Sequence, residues 1–253
     1  MIASNGVRLV VGSCAIVMAA CGGSPTGPGG PPKEISITPD VSVVLIGQRV
    51  TARAVAKDDP INVVAATWSS SPVDVLVVDH FTGDLAGLRN GIASLTATSS
   101  AGVSMTVPVR VAPDFRGNWM GNYAVTSCGE DAAFPMTTFC SAVSNGPQTF
   151  AAQLAQDHLK VAGSLSMSGG TGTIAGELDP FGLLIASATV PVFTGGVQFE
   201  VDVQPWTSSV SELGMSGTFS ELWAVAGVNG NGFLAAQFVN ALKSPIAAAT
   251  PQR

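Results

Sequence analysis

The chain is poor in charge. Only 11% of its 253 residues are Asp, Glu, Lys or Arg, against about a quarter in an ordinary soluble domain. Its surface therefore has to rely on Ser, Thr, Asn, Gln and Gly. Positive charge is the scarcer sign, with 11 Lys and Arg against 17 Asp and Glu. No basic stripe is present, which argues against binding nucleic acid by phosphate neutralisation. Histidine is nearly absent, with two copies, and tyrosine occurs once. Long apolar runs are missing as well. The N-terminal run from Leu9 to Ala20 covers about twelve residues, short of the roughly twenty that span a bilayer as a helix. What is abundant is Gly (29), Pro (16) and apolar side chains (46%). Together with many Val, Thr and Ser, this composition argues against disorder and favours β structure with many turns.

The first eight residues carry one side-chain cation, Arg8, and the apolar run follows it. Charge followed by a short apolar stretch is the pattern of a secretory signal. Met18-Ala19-Ala20-Cys21 then resembles the lipobox of bacterial lipoproteins, in which small residues precede a Cys that becomes the new N-terminus. Met18 stands where that motif usually has Leu. The resemblance implies a signal peptide over residues 1–20, acylation of Cys21 with chains such as palmitate, and an outer-membrane address, because Gly22 and not Asp follows the Cys. Several acyl chains anchor stably where one binds only marginally. The competing reading is an ordinary signal with a chance Cys. Residues 21–33 hold the acylated Cys and a Gly/Pro-rich linker, Gly22 to Pro32. Such a sequence forms neither helix nor packed strand and reads as a tether.

Over residues 34–112 the hydrophobic signal has period two. Apolar residues alternate in 49–54, in 93–98 and in 103–111, where Val103, Met105, Val107, Val109 and Val111 share a face. Turn signals at Gly47, Asp58-Asp59-Pro60, Gly83, Asn90-Gly91 and Gly102 divide the unit into about seven short strands, as in a two-sheet sandwich. Pro108 predicts an edge or a bulge. Ile37-Thr38-Pro39, Val44-Leu45-Ile46-Gly47, Thr67-Trp68-Ser69-Ser70-Ser71, Val75 to Asp79, Gly83 to Gly87 and Gly91 to Thr98 together resemble the bacterial Ig-like domains of group 2 (BIG2). Lys57 to Asn62 departs from the family's usual turn. The resemblance implies an Ig-like β-sandwich serving as spacer or adhesion module, with no catalytic residues. Trp68 is expected as a core anchor on a central strand.

Pro113-Asp114 marks a junction, and period two returns over 115–243 in longer strands. Eight are expected, near 118–127, 148–156, 159–167, 172–178, 183–190, 197–206, 212–224 and 230–241. Tight turns such as Asp179 to Gly182 and Asn229 to Gly232 link them as a meander. An apolar-x-Gly-x-apolar theme recurs at Val161 to Leu165, Ile174 to Leu178 and Met215 to Phe219. Glycines inside strands permit strong bending, which suggests a sheet curled shut. The predicted fold class is all-β: an N-terminal Ig-like sandwich, then an eight-stranded antiparallel up-and-down barrel, with an open sandwich as the alternative second unit. Gly117-Asn118-Trp119 resembles the Gly-x-Trp of lipocalins and related calycin barrels, where the Trp plugs one barrel end. No partner Arg stands near the last strand. Residues 244–253 read as a disordered tail.

Chemistry is sparse. Cys128 and Cys140 are predicted to form a disulfide, as an exported chain meets oxidising conditions. Asp79-His80 and Asp157-His158 fall at turns and do not read as catalytic dyads. Gly169-Gly170-Thr171-Gly172 precedes no helix and reads as a hairpin, not a phosphate loop. Asp58-Asp59 and Glu130-Asp131 read as solvated loop acids. No catalytic motif, metal set or cofactor fingerprint appears. The expected protein is therefore a non-catalytic lipoprotein of the cell envelope, periplasmic or surface-exposed, that presents a barrel binding domain to a protein or glycan partner. The alternative is a carrier of a small apolar ligand inside the barrel. A membrane-embedded, porin-like barrel is a third reading, set back by thin aromatic girdles and the polar tail.

Overall fold

The computed structural model describes residues 32–244. The expected signal peptide, Cys21 and all but the last two residues of the expected linker lie outside the described residues. So does the tail, except Ser244, which ends the last strand.

The first unit is built from β1 (Ile35–Thr38), β2 (Val43–Leu45), β3 (Arg49–Thr51), β4 (Arg53–Ala56), β5 (Asp59–Val64), β6 (Ala66–Ser71), β7 (Leu76–Val78), β8 (Asp84–Gly87), β9 (Gly91–Ser99) and β10 (Ser104–Ala112). They form three small sheets, in the orders β1-β4-β5, β2-β10-β9-β6 and β3-β8-β7. The count exceeds the expected seven because one alternating run can serve two sheets. Arg49 to Thr51 pair with β8, and after Ala52 the run continues as Arg53 to Ala56 against β1. Ile35, Val44, Trp68, Leu76, Leu85, Leu95, Val109 and Val111 form the common core.

Trp68 is buried, but β6 is the edge of its sheet and not central. Its indole is covered instead by the β7–β8 turn. At Gly83 (φ +75°) a Cβ would stand 2.9 Å from the ring, so only glycine lets the chain pass. Pro108 sits in β10, an inner strand. However, β2 pairs only with Arg110 to Ala112, so Pro108 lies beyond that coverage and its missing N–H costs no ladder bond. The expected turn at Asp58-Asp59-Pro60 falls at Lys57-Asp58, and Asp59 and Pro60 already belong to β5.

The second unit is a closed antiparallel barrel of eight strands. These are β11 (Gly117–Glu130), β12 (Gln148–Asp157), β13 (Lys160–Met167), β14 (Gly170–Leu178), β15 (Leu184–Thr194), β16 (Val197–Ser211), β17 (Gly214–Ala224) and β18 (Gly232–Ser244), with one helical turn, α1 (Phe139–Val143), between β11 and β12. Each strand pairs with the next, and β18 closes on β11. The glycine theme explains the closure. A Cβ on Gly163, Gly176 or Gly217 would stand 1.9, 2.3 or 2.1 Å from a carbonyl oxygen of the adjacent strand. The sheet coils so tightly there that no side chain fits. In β16 the register slips between Val203 and Thr207, at Gln204-Pro205, and this resets the alternation so that Trp206 and Ser208 turn inward. Leu213, expected inside a strand, is in the β16–β17 turn and exposed.

The sandwich seals one end of the barrel. Leu45 and Ala112 of the sandwich join Phe115 and Trp119 in the barrel core. Gln156 accepts from Phe115 N (2.8 Å) and donates to Pro113 O (3.1 Å). Asn90 Nδ2 donates to Phe181 O (2.7 Å), and the Arg110 guanidinium donates to Pro180 O (2.6 Å).

Candidate functional site

Up-and-down connectivity places alternate hairpins at opposite ends of the barrel. The turns at 158–159, 179–183 and 212–213 face the sandwich, as the junction contacts require. The 131–147 loop, the turns at 168–169 and 195–196, and the 225–231 loop surround the other end, the mouth.

Between the ends the barrel is filled with rings. Trp206 stacks on Phe219, with centroids 5.4 Å apart and planes 17° apart, and Phe150 and Phe238 close around it. Tyr123 meets Phe219 edge-on at 5.0 Å. Towards the mouth, Phe134, Phe139, Phe199 and Trp223 form a second cluster with centroid spacings of 5.1 to 5.7 Å. An apolar cargo would need the space these rings occupy; an eight-stranded barrel can fill itself in this way. Phe150, Phe199 and Phe219 are inside as the alternation requires. Phe233 is half exposed, because the inward residue of that pair is Leu234. The outward side carries hydroxyl pairs such as Ser166–Thr171 and Ser209–Ser216, besides Thr189–Asp202. The same outward side carries Met120, Ile185, Leu222, Phe233, Val239 and Leu242, each at least 40% exposed.

One carboxyl side chain is buried in this interior among the described residues. Glu221 of β17 is 1% exposed. Trp223 Nε1 donates to its Oε2 at 2.7 Å. Tyr123, whose hydroxyl is 2.9 Å from Ser168 Oγ, approaches the carboxyl together with Ser168. Even so, Oε1 has no hydrogen bond of acceptable geometry. Burial pushes the carboxyl up to about 7, against the pull of the surrounding donors. The Tyr123 hydroxyl is also pushed up, first by burial and then by the neighbouring carboxylate. A buried acceptor left bare costs about 1–3 kcal/mol, so this oxygen marks the site for attention.

The mouth is capped by the loop that carries α1. Cys128 and Cys140 are disulfide-bonded, with Cα atoms 5.6 Å apart. The bond ties the start of α1 to the end of β11. Phe139, next to Cys140, is driven fully into the barrel against Trp223 and Phe134. Under this cap lies a cavity of about 320 Å³, lined among others by Tyr123, Met136, Val143, Ser168 and Trp223. Three of these, Tyr123, Ser168 and Trp223, also approach the Glu221 carboxyl.

Charge is segregated along the barrel axis. The basic side chains of the unit, Arg116, His158, Lys160 and Lys243, all stand at the sandwich end, and no Lys, Arg or His occurs between Lys160 and Lys243 in the sequence. The mouth half carries Glu130, Asp131, Glu200, Asp202 and Glu221.

The residues singled out in the sequence do not converge on this site. Asp157 and His158 do touch, Oδ1 to Nδ1 at 2.7 Å, since a turn is free of the strand rule that would send them to opposite faces. They lie exposed at the sandwich end. His80 hydrogen-bonds the Trp68 carbonyl, and Asp79 accepts from Phe81 N and Thr82 N, which hold its carboxyl below the usual range. Asp131 accepts from Asn231 N and Glu130 from Cys140 N, so both organise the cap. Gly169 to Gly172 form the β13–β14 hairpin. Trp119 is buried at the sealed end, its Nε1 donating to Phe115 O (2.8 Å). Lys243 of β18 stands over its ring, with Nζ 5.6 Å from the centroid. Glu221 was not among the residues singled out. The alternation Met215, Gly217, Phe219 nevertheless runs on to 221 and 223 and places a carboxyl inside.

Compared with known proteins, the chain matches no family model and no curated protein.

Proposed function

We propose that the protein is a non-catalytic lipoprotein of the bacterial cell envelope, anchored in the outer membrane through acylated Cys21. On this reading the BIG2-like sandwich is the spacer or attachment module. The lipocalin-like barrel is the binding domain, and its mouth, at the end away from the sandwich, receives a surface or extracellular protein, a glycan or a smaller ligand. The observation that carries the anchor is a sequence of features in one order: Arg8, a short apolar run, Met18-Ala19-Ala20-Cys21, and a Gly/Pro tether that ends where the folded body begins. Two features of the body support the binding role. The sandwich occupies one barrel end, and the other holds a cavity of about 320 Å³ under the disulfide-tied cap. The Trp119 plug with Lys243 over its ring supports the calycin likeness, with lysine in place of the arginine that likeness asks for.

The test is to express the full chain in a bacterium with two membranes and feed it radiolabelled palmitate. Label should enter the wild type, which should sediment with outer-membrane fractions. Cys21→Ser should lose both label and sedimentation. Equal handling of the two chains would overturn the anchor. Protease treatment of intact cells then distinguishes a surface location from a periplasmic one.

A further inference from the structure

We propose that the cap is a pH-gated lid: loss of the proton from Glu221 draws water into the barrel from the mouth and loosens residues 131–147 while the strands stay closed. The inference goes beyond the binding role proposed above and holds with or without the lipid anchor.

Glu221 stands between two layers of rings. Along β17 the inward residues run Phe219, Glu221 and Trp223 towards the mouth, and all three are buried. Phe219 belongs to the lower layer with Tyr123, Trp206 and Phe238. Trp223 belongs to the upper layer with Phe139 and Phe199. The residues paired with Glu221 on β16 and β18 are Val203 and Leu234, both apolar and buried. The polar groups that approach the carboxyl are the Tyr123 hydroxyl of β11, the Ser168 hydroxyl of the β13–β14 turn and the Trp223 indole. Of these Tyr123 alone titrates, and burial pushes its hydroxyl up, so it stays neutral. Glu200 and Asp202 of β16 lie on the outward side, and no Lys, Arg or His stands in the mouth half among the described residues.

The protonated carboxyl fits this setting. It needs no counter-charge, and Trp223 Nε1 donates to its Oε2. The ionised group does not fit, because Oε1 has no donor and no cation faces it. A buried charge without a partner is strongly disfavoured, so water has to reach it. Two routes lead to the carboxyl. The lower one is closed by the second ring layer, then by Phe115, Trp119 and Leu45. The upper one passes Trp223 and Phe139 into the cavity of about 320 Å³ under the cap. Tyr123, Ser168 and Trp223 border both that cavity and the carboxyl. Their hydroxyls give an entering water the polar partners it needs. Phe139 is carried by the cap, which has no strand ladder, so the upper route yields first.

The direction of the response separates Glu221 from the acids of the cap. Glu130 and Asp131 accept hydrogen bonds from Cys140 N and Asn231 N, so loss of their charge loosens the cap as pH falls. Glu221 loosens it as pH rises, because the closed cap favours the protonated carboxyl and the open one does not.

The experiment follows hydrogen exchange in the purified full chain, disulfide intact, from pH 5 to pH 8. Each rate is divided into the intrinsic rate at that pH to give a protection factor. The reporters are the amides of Phe134, Phe139, Ala142 and Ser144, which are hydrogen-bonded within the cap. Their protection should fall by roughly tenfold to a few hundredfold over this range. At pH 8 it should lie at least about tenfold below that of β13 and β14 and respond weakly to dilute urea, since a local opening exposes little surface. Glu221→Gln, which keeps the shape and an acceptor for Trp223, should hold cap protection at its pH 5 level throughout. Tyr123→Phe, which removes one donor from the carboxylate, should keep the response and move it to higher pH. Protection that does not change with pH, a fall that persists in Glu221→Gln, a response lost in Tyr123→Phe, or cap and strand amides that exchange together with the same urea dependence would each overturn the proposal.

Discussion

A carboxyl inside a shell of rings makes folding depend on pH. Glu221 is held near 7 in the folded chain and returns to about 4.5 when unfolded. Because its folded value is the higher one, the native state keeps the proton longer. Stability therefore falls as pH rises from about 4.5 to 7 and levels off above that. Glu221→Gln should abolish this decline. It should raise stability at pH 8 by about 1–3 kcal/mol and change little at pH 4. Thermal melts at the two pH values check this, and an equal effect at both would show that the carboxyl is not the cause. Glycines act at the same scale. Gly163→Ala puts a methyl 1.9 Å from Gln153 O, and the adjacent strand must move. A loss of about 2–4 kcal/mol, more than common overpacking, is expected in denaturant melts. Ala162→Gly, on the exposed face of the same strand, should cost under about 1 kcal/mol.

The cap is the element with fewest alternatives to its staple. Residues 131–147 have no strand partner, and their order comes from the Cys128–Cys140 bond, the Phe139 plug and hydrogen bonds that Glu130 and Asp131 accept from Cys140 N and Asn231 N. Removing the bond with Cys128→Ser and Cys140→Ser should lower stability by roughly 3 kcal/mol on the loop-entropy account. Hydrogen exchange should rise in 131–147 first and leave β13 to β16 protected; uniform loosening of the barrel would contradict this division. The strands themselves were legible, since period two and turn residues are local signals: the eight barrel strands lie where alternation put them, with β11, β15, β16 and β18 running further at their C-terminal ends. The cap was less so. A disulfide is visible as two cysteines, but the helical turn and its inward Phe139 depend on what lies beneath.

At the scale of the whole chain, the sandwich contributes side chains to the barrel's packing. Leu45 belongs to β2, yet it is buried in the barrel core with Phe115 and Trp119. Leu45→Ala should therefore destabilise the barrel by about 2–5 kcal/mol. Exchange of β11 and β12 amides should rise with it, and an effect confined to the sandwich would refute the seal.

The sequence by itself determined what local periodicity and covalent chemistry can carry: an all-β chain, a junction at Pro113-Asp114, a barrel bent at its repeated glycines, and a pair of cysteines within reach of each other. The expectations at residues 1–31, Cys21 among them, remain readings of sequence alone. Tertiary structure decided what depends on several strands at once. Trp68 lies on an edge strand because sheet order is set by non-local pairing. Trp206 faces in because the slip at Gln204-Pro205 shifts the phase of alternation, and Phe233 faces out because β18 pairs with β17 in the register that turns Leu234 inward. The barrel is full because its rings come from five different strands and the cap, and no stretch of sequence shows that they meet. Glu221 is the clearest case. Its inward phase is written in β17, but its bare oxygen exists only because Tyr123, Ser168 and Trp223 arrive from separate parts of the chain and leave one lone pair unmet.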